Sequence, residues 1–372
     1  MPADRRTIAV TGASGFVGRN LIVRLGELGH EIHAIDRNTP AAAMRSAIAA
    51  SDAVFHLAGA NRVADPADFI RVNRDYTASI ADAIVEGGRR PLVVFSSSRR
   101  ATDGSDYGMS KRAGEEVMLR LAEQGAAEVL ICRLPNIFGK WARPDHNSVV
   151  ATFCHRLARG LPIEIHDPAA ALSLAYIDDL IDQWCRLIAA PLEGPWREAV
   201  LPQYHTTVGE VADLIQGFAT SRALGNIGQV GTGLERALYA TFVSHLPEEA
   251  FSYPLTAHVD QRGSFSELLR TPNCGQFSWF TAHAGVTRGG HYHHSKVEKF
   301  VIVRGEALFR FRHILSGATR EIRASAATPV VIETIPGWAH DVTNVGDDEM
   351  ISLIWANEVF DRARPDTVAM PV

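Results

Sequence analysis

Apolar positions follow two different patterns along the chain, and the first covers roughly residues 1–246. Strand-length apolar runs at 8–10, 31–35, 53–57, 92–95 and 129–134 alternate there with stretches of helical spacing such as 16–28 and 108–124. An alternation of strands and helices is typical of a parallel sheet covered on both faces. We therefore predict an α/β Rossmann-like, doubly wound parallel sheet for this part of the chain.

The second pattern begins near residue 277, where apolar runs are short and closely spaced. They lie at 277–281, 299–303, 307–311, 330–335 and 350–355, and turns such as Arg304-Gly305 and Pro336-Gly337 separate them. Short strands without long helical patterns predict an all-β jelly-roll barrel. The change falls in a stretch bracketed by Pro247 and Pro254, so we predict two domains, 1–248 and 249–372.

Composition narrows the class of protein. The chain has 372 residues and a formal net charge of -5, without a basic block, so nucleic acid is not an expected partner. Its apolar runs are far shorter than the ~20 residues of a membrane-spanning helix, which argues against membrane insertion. The sequence shows no secretory signal pattern, and the four cysteines are scattered without a CxxC pair. These features predict a cytoplasmic protein with reduced thiols.

A glycine-rich turn joins the first predicted strand to the first predicted helix. Glycines with this spacing let the backbone turn tightly and approach a pyrophosphate at the helix N-terminus. The residues that we expect to bind the dinucleotide are Gly12, Ser14, Gly15, Phe16, Val17 and Gly18. A strand before the turn and a helix after it are the context that the motif requires.

Two further segments are expected to contact the same dinucleotide. Asp36 and Arg37 end the second strand, where an acidic residue suits the ribose hydroxyls of NAD and an arginine suits the 2′-phosphate of NADP. An acidic residue and an arginine are both present, so these two residues alone do not decide between NAD and NADP. Leu57, Ala58 and Gly59 follow the third strand and are placed to line the adenine and ribose. His56, just before them, is either part of this lining or a hydrogen-bonded core histidine.

Tyr107 and Lys111 open a long predicted helix and, being four residues apart, share one of its faces. An ammonium near a phenol favours the phenolate and moves its proton chemistry toward neutral pH. Ser98 ends the fourth predicted strand, where its hydroxyl could meet the same substrate carbonyl. The alternative is a solvent-facing lysine beside a tyrosine at the edge of the core.

Histidines and a glutamate with metal-ligand spacing lie in the second predicted domain. His291 and His293 are two apart and share a strand face, while Glu298 and His340 follow on later strands. Imidazole and carboxylate ligands suit one divalent metal, with Zn²⁺ preferred and Fe, Ni or Mn also compatible. A metal-free acid–base role for these residues is the alternative.

The first part of the chain resembles the extended short-chain dehydrogenase/reductase family of nucleotide-sugar enzymes. The resemblance implies that Ser98, Tyr107 and Lys111 form a catalytic triad, and that Asn136 and the region 140–153 contact the sugar nucleotide. Arg99 and Arg100 replace the acidic pair of the family's 4,6-dehydratases, which argues against dehydration. The matching motifs are TGASGFVG at 11–18, HLAG at 56–59, Asn73, the serines 96–98, 133–136 and 176–179.

The second part resembles the cupins, and two of its segments, 260–267 and 288–292, resemble metal-free cupin epimerases that act beside a sugar ketone. The cupin resemblance supports a ligand role for His340, although in the second cupin motif the proline directly precedes the glycine and the glycine expected before it is absent. The epimerase resemblance implies that His291 is a base, so this residue is either a ligand or a base. Arg262 and Arg288 are then expected to bind the substrate and stabilise its enolate oxygen.

The order of the two parts, and motifs over nearly the whole chain, resemble the bifunctional capsular-polysaccharide enzymes of the CapF family. That resemblance implies C3 epimerisation of a UDP-2-acetamido-4-keto-2,6-dideoxyhexose by the cupin, followed by C4 reduction. The product would be UDP-N-acetyl-6-deoxy-talosamine, a precursor of UDP-N-acetyl-L-fucosamine for surface polysaccharide. It also implies NADP(H), with NAD(H) still open, and a homodimer formed through the cupin. The alternative is an NAD-retaining nucleotide-sugar 4-epimerase with a structural or sugar-sensing cupin.

Overall fold

The computed structural model describes residues 5–189, 194–255, 257–260, 263–266, 275–358, 361 and 363–372, with only the backbone at 257–260, 263–266 and 276. Two compact units make up the chain. The first unit contains residues 1–137 and 173–205, and the second unit contains residues 138–172 and 206–372. The domain boundary predicted between residues 248 and 249 stays a prediction about the order of domains along the sequence.

The helices of both units, in chain order, are α1 Phe16–Glu27, α2 Ala41–Ala49, α3 Ala67–Ile70, α4 Tyr76–Gly87, α5 Asp106–Glu123, α6 Val149–Leu157, α7 Ile177–Ala189, α8 Val208–Ala223 and α9 Gly233–Ser244. The strands up to the end of α9 are β1 Thr7–Thr11, β2 Glu31–Ile35, β3 Ala53–His56, β4 Leu92–Ser98, β5 Glu128–Leu134, β6 Asn136–Phe138, β7 Ala171–Tyr176, β8 Trp196–Glu198 and β9 Tyr204–Thr207. No helix in the described part of the chain combines the length and apolar character needed to cross a membrane.

The strands after α9 are β10 Ser252–Pro254, β11 Ala257–Asp260, β12 Gly263–Ser266, β13 Gln276–Ala282, β14 Thr287–Tyr292, β15 Glu298–Arg304, β16 Glu306–His313, β17 Thr319–Ser325, β18 Val330–Glu333, β19 Trp338–Asn344, β20 Met350–Ala356 and β21 Val368–Ala369. Strands β6, β7 and β9 form a small three-stranded sheet, and β11 pairs with β12.

The first unit is built on a parallel sheet in the order β2-β1-β3-β4-β5-β8. The chain passes from β1 to β2 on one side and returns to β3 on the other, so the order reverses beside β1. Ligands of such sheets bind at the carboxyl ends of the strands at this switch point. The predicted Rossmann-like fold is confirmed.

Strand β4 is longer than its apolar run predicts. The run ends at residue 95, but the strand continues through the three serines 96–98, which pair with 132–134 of β5. All three serines are buried. Backbone pairing inside the sheet, and not side-chain hydrophobicity, therefore carries the strand to the candidate catalytic serine.

The second unit combines α6, α8 and α9 with two five-stranded antiparallel sheets. Their strand orders are β10-β18-β15-β20-β13 and β17-β16-β19-β14-β21. This confirms the antiparallel, strand-rich fold class predicted for the cupin part. Strand β17 escaped prediction because its sequence, TREIRAS, is mostly exposed and charged and carries no alternating apolar pattern.

A buried ion cluster joins helix α8 to one of these sheets. The Glu333 carboxylate is fully buried and bonds both Lys299 on the paired strand and Arg222 near the end of α8, the Arg222 Nε lying 2.7 Å from Oε2. The Arg222 guanidinium also lies 4.5 Å from the ring centre of Tyr253 and donates to the Ala250 carbonyl. A buried carboxylate is tolerated only when such partners replace its hydration.

Replacing Arg222 should therefore destabilise the second unit. We expect Arg222→Met to lower the free energy of unfolding by about 2 kcal/mol, less than the loss of a whole buried pair because Lys299 still faces Glu333. Urea denaturation measures the change, with Arg320→Met, an exposed arginine on β17, as the matched control. Equal effects of the two substitutions would contradict a stabilising cluster.

Candidate active site and metal centre

The glycine-rich turn lies at the switch point of the parallel sheet. Gly12 has φ +70°, and a Cβ there would stand 2.8 Å from the Ala58 nitrogen, so this turn packs directly on the segment after β3. A Cβ at Gly18 would stand 2.3 Å from the Gly12 carbonyl oxygen. Because glycine has no Cβ, α1 can pack directly against the turn. Helix α1 begins at Phe16 without a side-chain cap. Its first amides are therefore available to an anion, as a pyrophosphate site requires.

At the end of β2 the Asp36 carboxylate is held beside the same turn. It accepts hydrogen bonds from the Ser14 hydroxyl at 2.8 Å and from the Asn38 amide at 2.9 Å. The Asn38 and Ser14 hydrogen bonds lower the pKa of Asp36, so its side chain is an anion at neutral pH. The structure brings two predicted cofactor residues, Ser14 and Asp36, into direct contact.

His56 is a core residue. It is completely buried, with Nδ1 2.7 Å from the Thr11 hydroxyl and Nε2 2.9 Å from the Thr77 hydroxyl. Burial, with a smaller contribution from Lys111, lowers the pKa of His56 to about 3, so the ring is neutral. Of the two interpretations offered by the sequence, the geometry matches the hydrogen-bonded core histidine.

Lys111 points into the first unit, where its ammonium is buried. Its Nζ donates to the Ser96 carbonyl at 2.5 Å, and a Cβ on Gly59 would lie 3.4 Å from it. Burial lowers the pKa of Lys111 to about 8, while the Glu115 carboxylate opposes the shift. A solvent-facing lysine is thus excluded, and the ammonium lies beside both the β4 end and the Leu57–Gly59 segment.

Tyr107 is placed by the packing of α5 on the turn that follows β4. A Cβ at Gly108 would meet the Arg100 carbonyl oxygen at 2.1 Å, so only glycine permits this close approach. The turn begins at Ser98, whose hydroxyl accepts from the Arg100 amide at 3.2 Å, and the Arg100 guanidinium lies 5.5 Å from the Tyr107 ring centre. One short segment therefore links the predicted serine to the start of the tyrosine helix.

A polar network that the sequence did not predict supports this end of the sheet. Glu115, one turn after Lys111, is buried and accepts from the Ser97 hydroxyl at 2.5 Å and from Arg133 Nε and Nη2 at 2.9 and 2.8 Å. Burial raises the pKa of Glu115, but the Arg133 and Ser97 hydrogen bonds outweigh it and leave the pKa below its ordinary value. Asn73 similarly bonds the Ala60 backbone and the Ser110 hydroxyl, each at 2.9 Å.

The four predicted metal ligands meet in the second unit. The ligand atoms of His291, His293, Glu298 and His340 all lie within 4.8 Å of one another. Glu298 Oε2 is 3.3 Å from His293 Nε2 and 3.6 Å from His340 Nε2. Burial, helped by the rings of His340 and His293, lowers the pKa of His291 to about 4.

Hydrogen bonds on the far sides of two rings orient their nitrogens toward the carboxylate. His293 Nδ1 is 2.6 Å from the Asp366 carbonyl and His340 Nδ1 is 3.4 Å from the Trp338 carbonyl. Because a carbonyl only accepts, Nδ1 carries the proton and Nε2 keeps a lone pair. Both Nε2 atoms are buried without a hydrogen-bond partner in the described part of the chain. Orphaned lone pairs beside a buried carboxylate fit a divalent cation.

Two of the three residues predicted to contact the substrate lie in the described part of the chain. Arg288 is exposed on β14, where it donates to the Thr281 carbonyl at 2.9 Å and lies 5.0 Å from the Phe280 ring centre. Asn136 begins β6 and is exposed. Arg262 lies outside the described residues. Their contacts with a substrate stay predictions.

Comparisons with known proteins find a matching family for each of the two predicted parts of the chain. Residues 8–200 match the NAD dependent epimerase/dehydratase family, and residues 258–368 match the polysaccharide biosynthesis C-terminal domain. A Pseudomonas aeruginosa protein named UDP-2-acetamido-2,6-beta-L-arabino-hexul-4-ose reductase is 47% identical over 366 residues, 98% of each chain. The crystal structure of the capsular polysaccharide assembling protein CapF from Staphylococcus aureus has 37% identity and a TM-score of 0.67, covering 98% of this chain and 100% of that one.

The chain belongs to the CapF family, within the NAD dependent epimerase/dehydratase family. The predicted resemblance is confirmed. A more distant structure, MoeE5 in complex with UDP-glucose and NAD, has 23% identity and a TM-score of 0.51 over 56% of this chain and 81% of that one. At this identity it supports the fold of the first unit alone.

In this member of the CapF family, a residue near the C-terminus organises the turn that carries two metal-site positions. The Asp366 carboxylate accepts from the backbone amides of His294, Ser295 and Lys296 at 2.7–2.9 Å and from the Ser295 hydroxyl at 3.0 Å. Lys296 Nζ lies 3.3 Å from Glu298 Oε1. Sequence reasoning missed Asp366 because it is far along the chain from the motif that it supports.

Removing this carboxylate should loosen the turn between β14 and β15. Asp366→Ala leaves three partly buried amides without their acceptor, and we expect a loss of about 2–4 kcal/mol in the free energy of unfolding. Hydrogen exchange of residues 293–297, followed by mass spectrometry, should accelerate in the variant. Asp361→Ala is the control, because Asp361 is exposed in the same C-terminal segment; equal exchange in both variants would contradict this role.

Proposed function

We propose that the chain is a bifunctional nucleotide-sugar enzyme. Its cupin part epimerises C3 of a UDP-2-acetamido-4-keto-2,6-dideoxyhexose, and its first part then reduces C4 with NAD(P)H to give UDP-N-acetyl-6-deoxy-talosamine, a precursor of UDP-N-acetyl-L-fucosamine. The observation that carries the proposal is that one chain holds two separate polar constellations, Tyr107 with Lys111 and the His₃Glu cluster. Both occur in a sequence 47% identical over 98% of its length to a UDP-4-keto-sugar reductase.

For the reduction, Tyr107 is the proton donor to the C4 oxygen. A reduced nicotinamide, when bound, supplies the hydride for C4. We expect Ser98 to donate a hydrogen bond to the same oxygen before the proton moves. The Lys111 ammonium, fixed by the Ser96 carbonyl, balances the negative charge that Tyr107 acquires. The products are the C4 alcohol and the oxidised cofactor.

For the epimerisation, the ketone acidifies the hydrogen at C3 because the resulting carbanion is an enolate. A base removes this proton from one face and an acid returns a proton to the other, so the reaction is balanced without any redox change. His291 is our candidate for the base, being the most exposed of the four clustered residues. A divalent cation held by the other three residues of the cluster, Zn²⁺ by preference, would supply positive charge for the enolate oxygen. Arg262 and Arg288 are candidates for the same task.

The two activities make sense in one chain. Epimerisation beside a ketone is nearly balanced in free energy, whereas reduction removes the ketone and with it the acidity of C3. Reduction therefore fixes the new configuration and draws the epimerisation forward. This chemistry favours the order epimerisation first, reduction second.

The cofactor choice rests on Asp36 and Arg37. The anionic Asp36 carboxylate beside Ser14 suits the ribose hydroxyls of NAD(H). This observation favours a second candidate function, that of an NAD-retaining 4-epimerase. The adjacent, exposed Arg37 suits NADP(H), the cofactor implied by the family. Stoichiometric consumption of either reduced cofactor with the 4-keto sugar would exclude the 4-epimerase.

A homodimer through the cupin part is also proposed. Strand β13 ends the order of described strands in its sheet and exposes Phe277 and Trp279. Edge strands with apolar side chains are commonly covered by a second copy. The cytoplasmic location predicted from the sequence stays a prediction.

The pH profile of the reduction tests the role of Lys111. The ammonium is the active form and its pKa is about 8, so kcat/KM for NAD(P)H oxidation should fall as the pH rises through about 8. Arginine stays charged throughout, so Lys111→Arg should be slower but should lose this decline. Initial rates between about pH 6 and 10, with the 4-keto sugar, measure the profile. A wild-type rate that is flat across this range would exclude the assignment.

Isotope exchange tests both activities in order. In D₂O, the C3 proton signal of UDP-2-acetamido-4-keto-2,6-dideoxyhexose should disappear from the NMR spectrum before any cofactor is added. Added NAD(P)H should then give a C4 alcohol. Tyr107→Phe should retain the exchange and lose the reduction by a factor of about 10²–10⁴, as expected for loss of a general acid.

The reciprocal variant is His291→Ala, which should lose C3 exchange but still reduce sugar that has already been epimerised. His283→Ala is the matched control, because His283 is an exposed histidine of the same unit. Reduction without exchange in the wild type would leave the reductase and refute the epimerase. Absence of both reactions would refute the proposed function.

A further inference from the structure

Trp141 lies in the loop between β6 and α6, a segment of the second unit with an unusual backbone. Trp141, Asp145 and Asn147 have φ values of +68°, +55° and +58°, in the left-handed region that residues other than glycine seldom adopt. Such conformations cost free energy and persist only where surrounding contacts impose them. The contacts of Trp141 therefore indicate what this loop is built to hold.

The indole ring of Trp141 lies against the Pro336-Gly337 turn that precedes β19. A Cβ on Gly337 would stand 2.7 Å from Trp141 Cζ2 and 3.1 Å from Nε1, so the ring occupies the space that any other residue's side chain would need. Gly337 itself has φ +80°. His313 completes the contact, with its ring centre 6.1 Å from that of Trp141 and 5.1 Å from that of Trp338.

This turn contacts two of the clustered histidines through the backbone. The Gly337 amide donates to the His293 carbonyl at 2.9 Å, and the Trp338 carbonyl lies 3.4 Å from His340 Nδ1. The position of the turn thus affects the backbone of one histidine and the ring orientation of another. An indole that presses on Gly337 fixes both at once.

We propose that Trp141 is a positioning residue of the His₃Glu site, holding the Pro336-Gly337 turn so that His293 and His340 keep their Nε2 atoms directed at Glu298. The inference rests on the proposed function of that cluster and extends it to a residue on a separate loop, distant in sequence from both cupin motifs. Partners behind metal ligands typically change metal affinity by a factor of about 10–100 when removed. Trp141 acts through the turn, so we expect the lower end of this range.

The experiment compares Trp141→Ala, Trp141→Phe and Trp196→Ala in the full chain. Co²⁺ is titrated and its affinity is read from the visible absorption of the bound ion. We expect Trp141→Ala to weaken Co²⁺ binding about tenfold, Trp141→Phe to recover most of the affinity because a ring still covers Gly337, and Trp196→Ala, an exposed tryptophan of the first unit, to match the wild type. Hydrogen exchange of residues 335–341 should accelerate in Trp141→Ala alone.

A double-mutant cycle tests the contact itself. Gly337→Ala places a Cβ against the indole and should weaken Co²⁺ binding in the wild-type background. In the Trp141→Ala background that space is vacant, so the same substitution should have a smaller effect, leaving only the cost of the positive φ. Additive effects of the two substitutions would overturn the inference.

The outcomes separate this inference from the proposed function. Wild-type Co²⁺ affinity together with unchanged exchange at 335–341 in Trp141→Ala overturns the positioning role and leaves the proposed function standing. If the wild type binds no Co²⁺, the metal part of the proposed function fails, and hydrogen exchange decides the inference. Faster exchange at 335–341 then supports it, and unchanged exchange overturns it.

Discussion

The candidate metal centre of the second unit depends on the burial of one carboxylate, that of Glu298. A buried anion must be paired, because the hydration it has lost is worth several kcal/mol. The Lys296 ammonium pairs with it, two imidazole nitrogens flank it, and the Glu298 backbone amide donates to the Thr334 hydroxyl at 2.9 Å. Much of the nearby structure can be understood as holding these partners in place, from the Asp366 bonds behind the turn to the indole that presses on Gly337.

The first unit shows the opposite arrangement, with a buried cation in place of a buried anion. Lys111 loses water on burial and recovers a carbonyl at the end of β4, while the Glu115 carboxylate lies one helical turn further on. Glu115 in turn is tied to β5 through Arg133. In each unit the candidate site therefore contains a desolvated charge, where electrostatic interactions are stronger than in water.

Local patterns were sufficient to predict the fold class and to identify all four residues that cluster in the second unit, because strand alternation and ligand spacing are properties of short segments. The same patterns placed the end of β4 three residues too early, because the three buried serines at its end are polar residues that an apolar pattern does not include. They also missed the contacts of Asp366 with the amides of 294–296, of Glu115 with Arg133 and of Trp141 with Gly337. Such partnerships arise from tertiary folding, and a single sequence carries no signal for them apart from residue type.

The second unit draws on a segment inserted within the parallel-sheet sequence, residues 138–172, and on a segment that follows it, residues 206–246. A cupin part inherited alone would lack Arg222, and Glu333 would keep only Lys299 as its charged neighbour. Exchange of modules between genes at a simple C-terminal junction would therefore meet an energetic barrier.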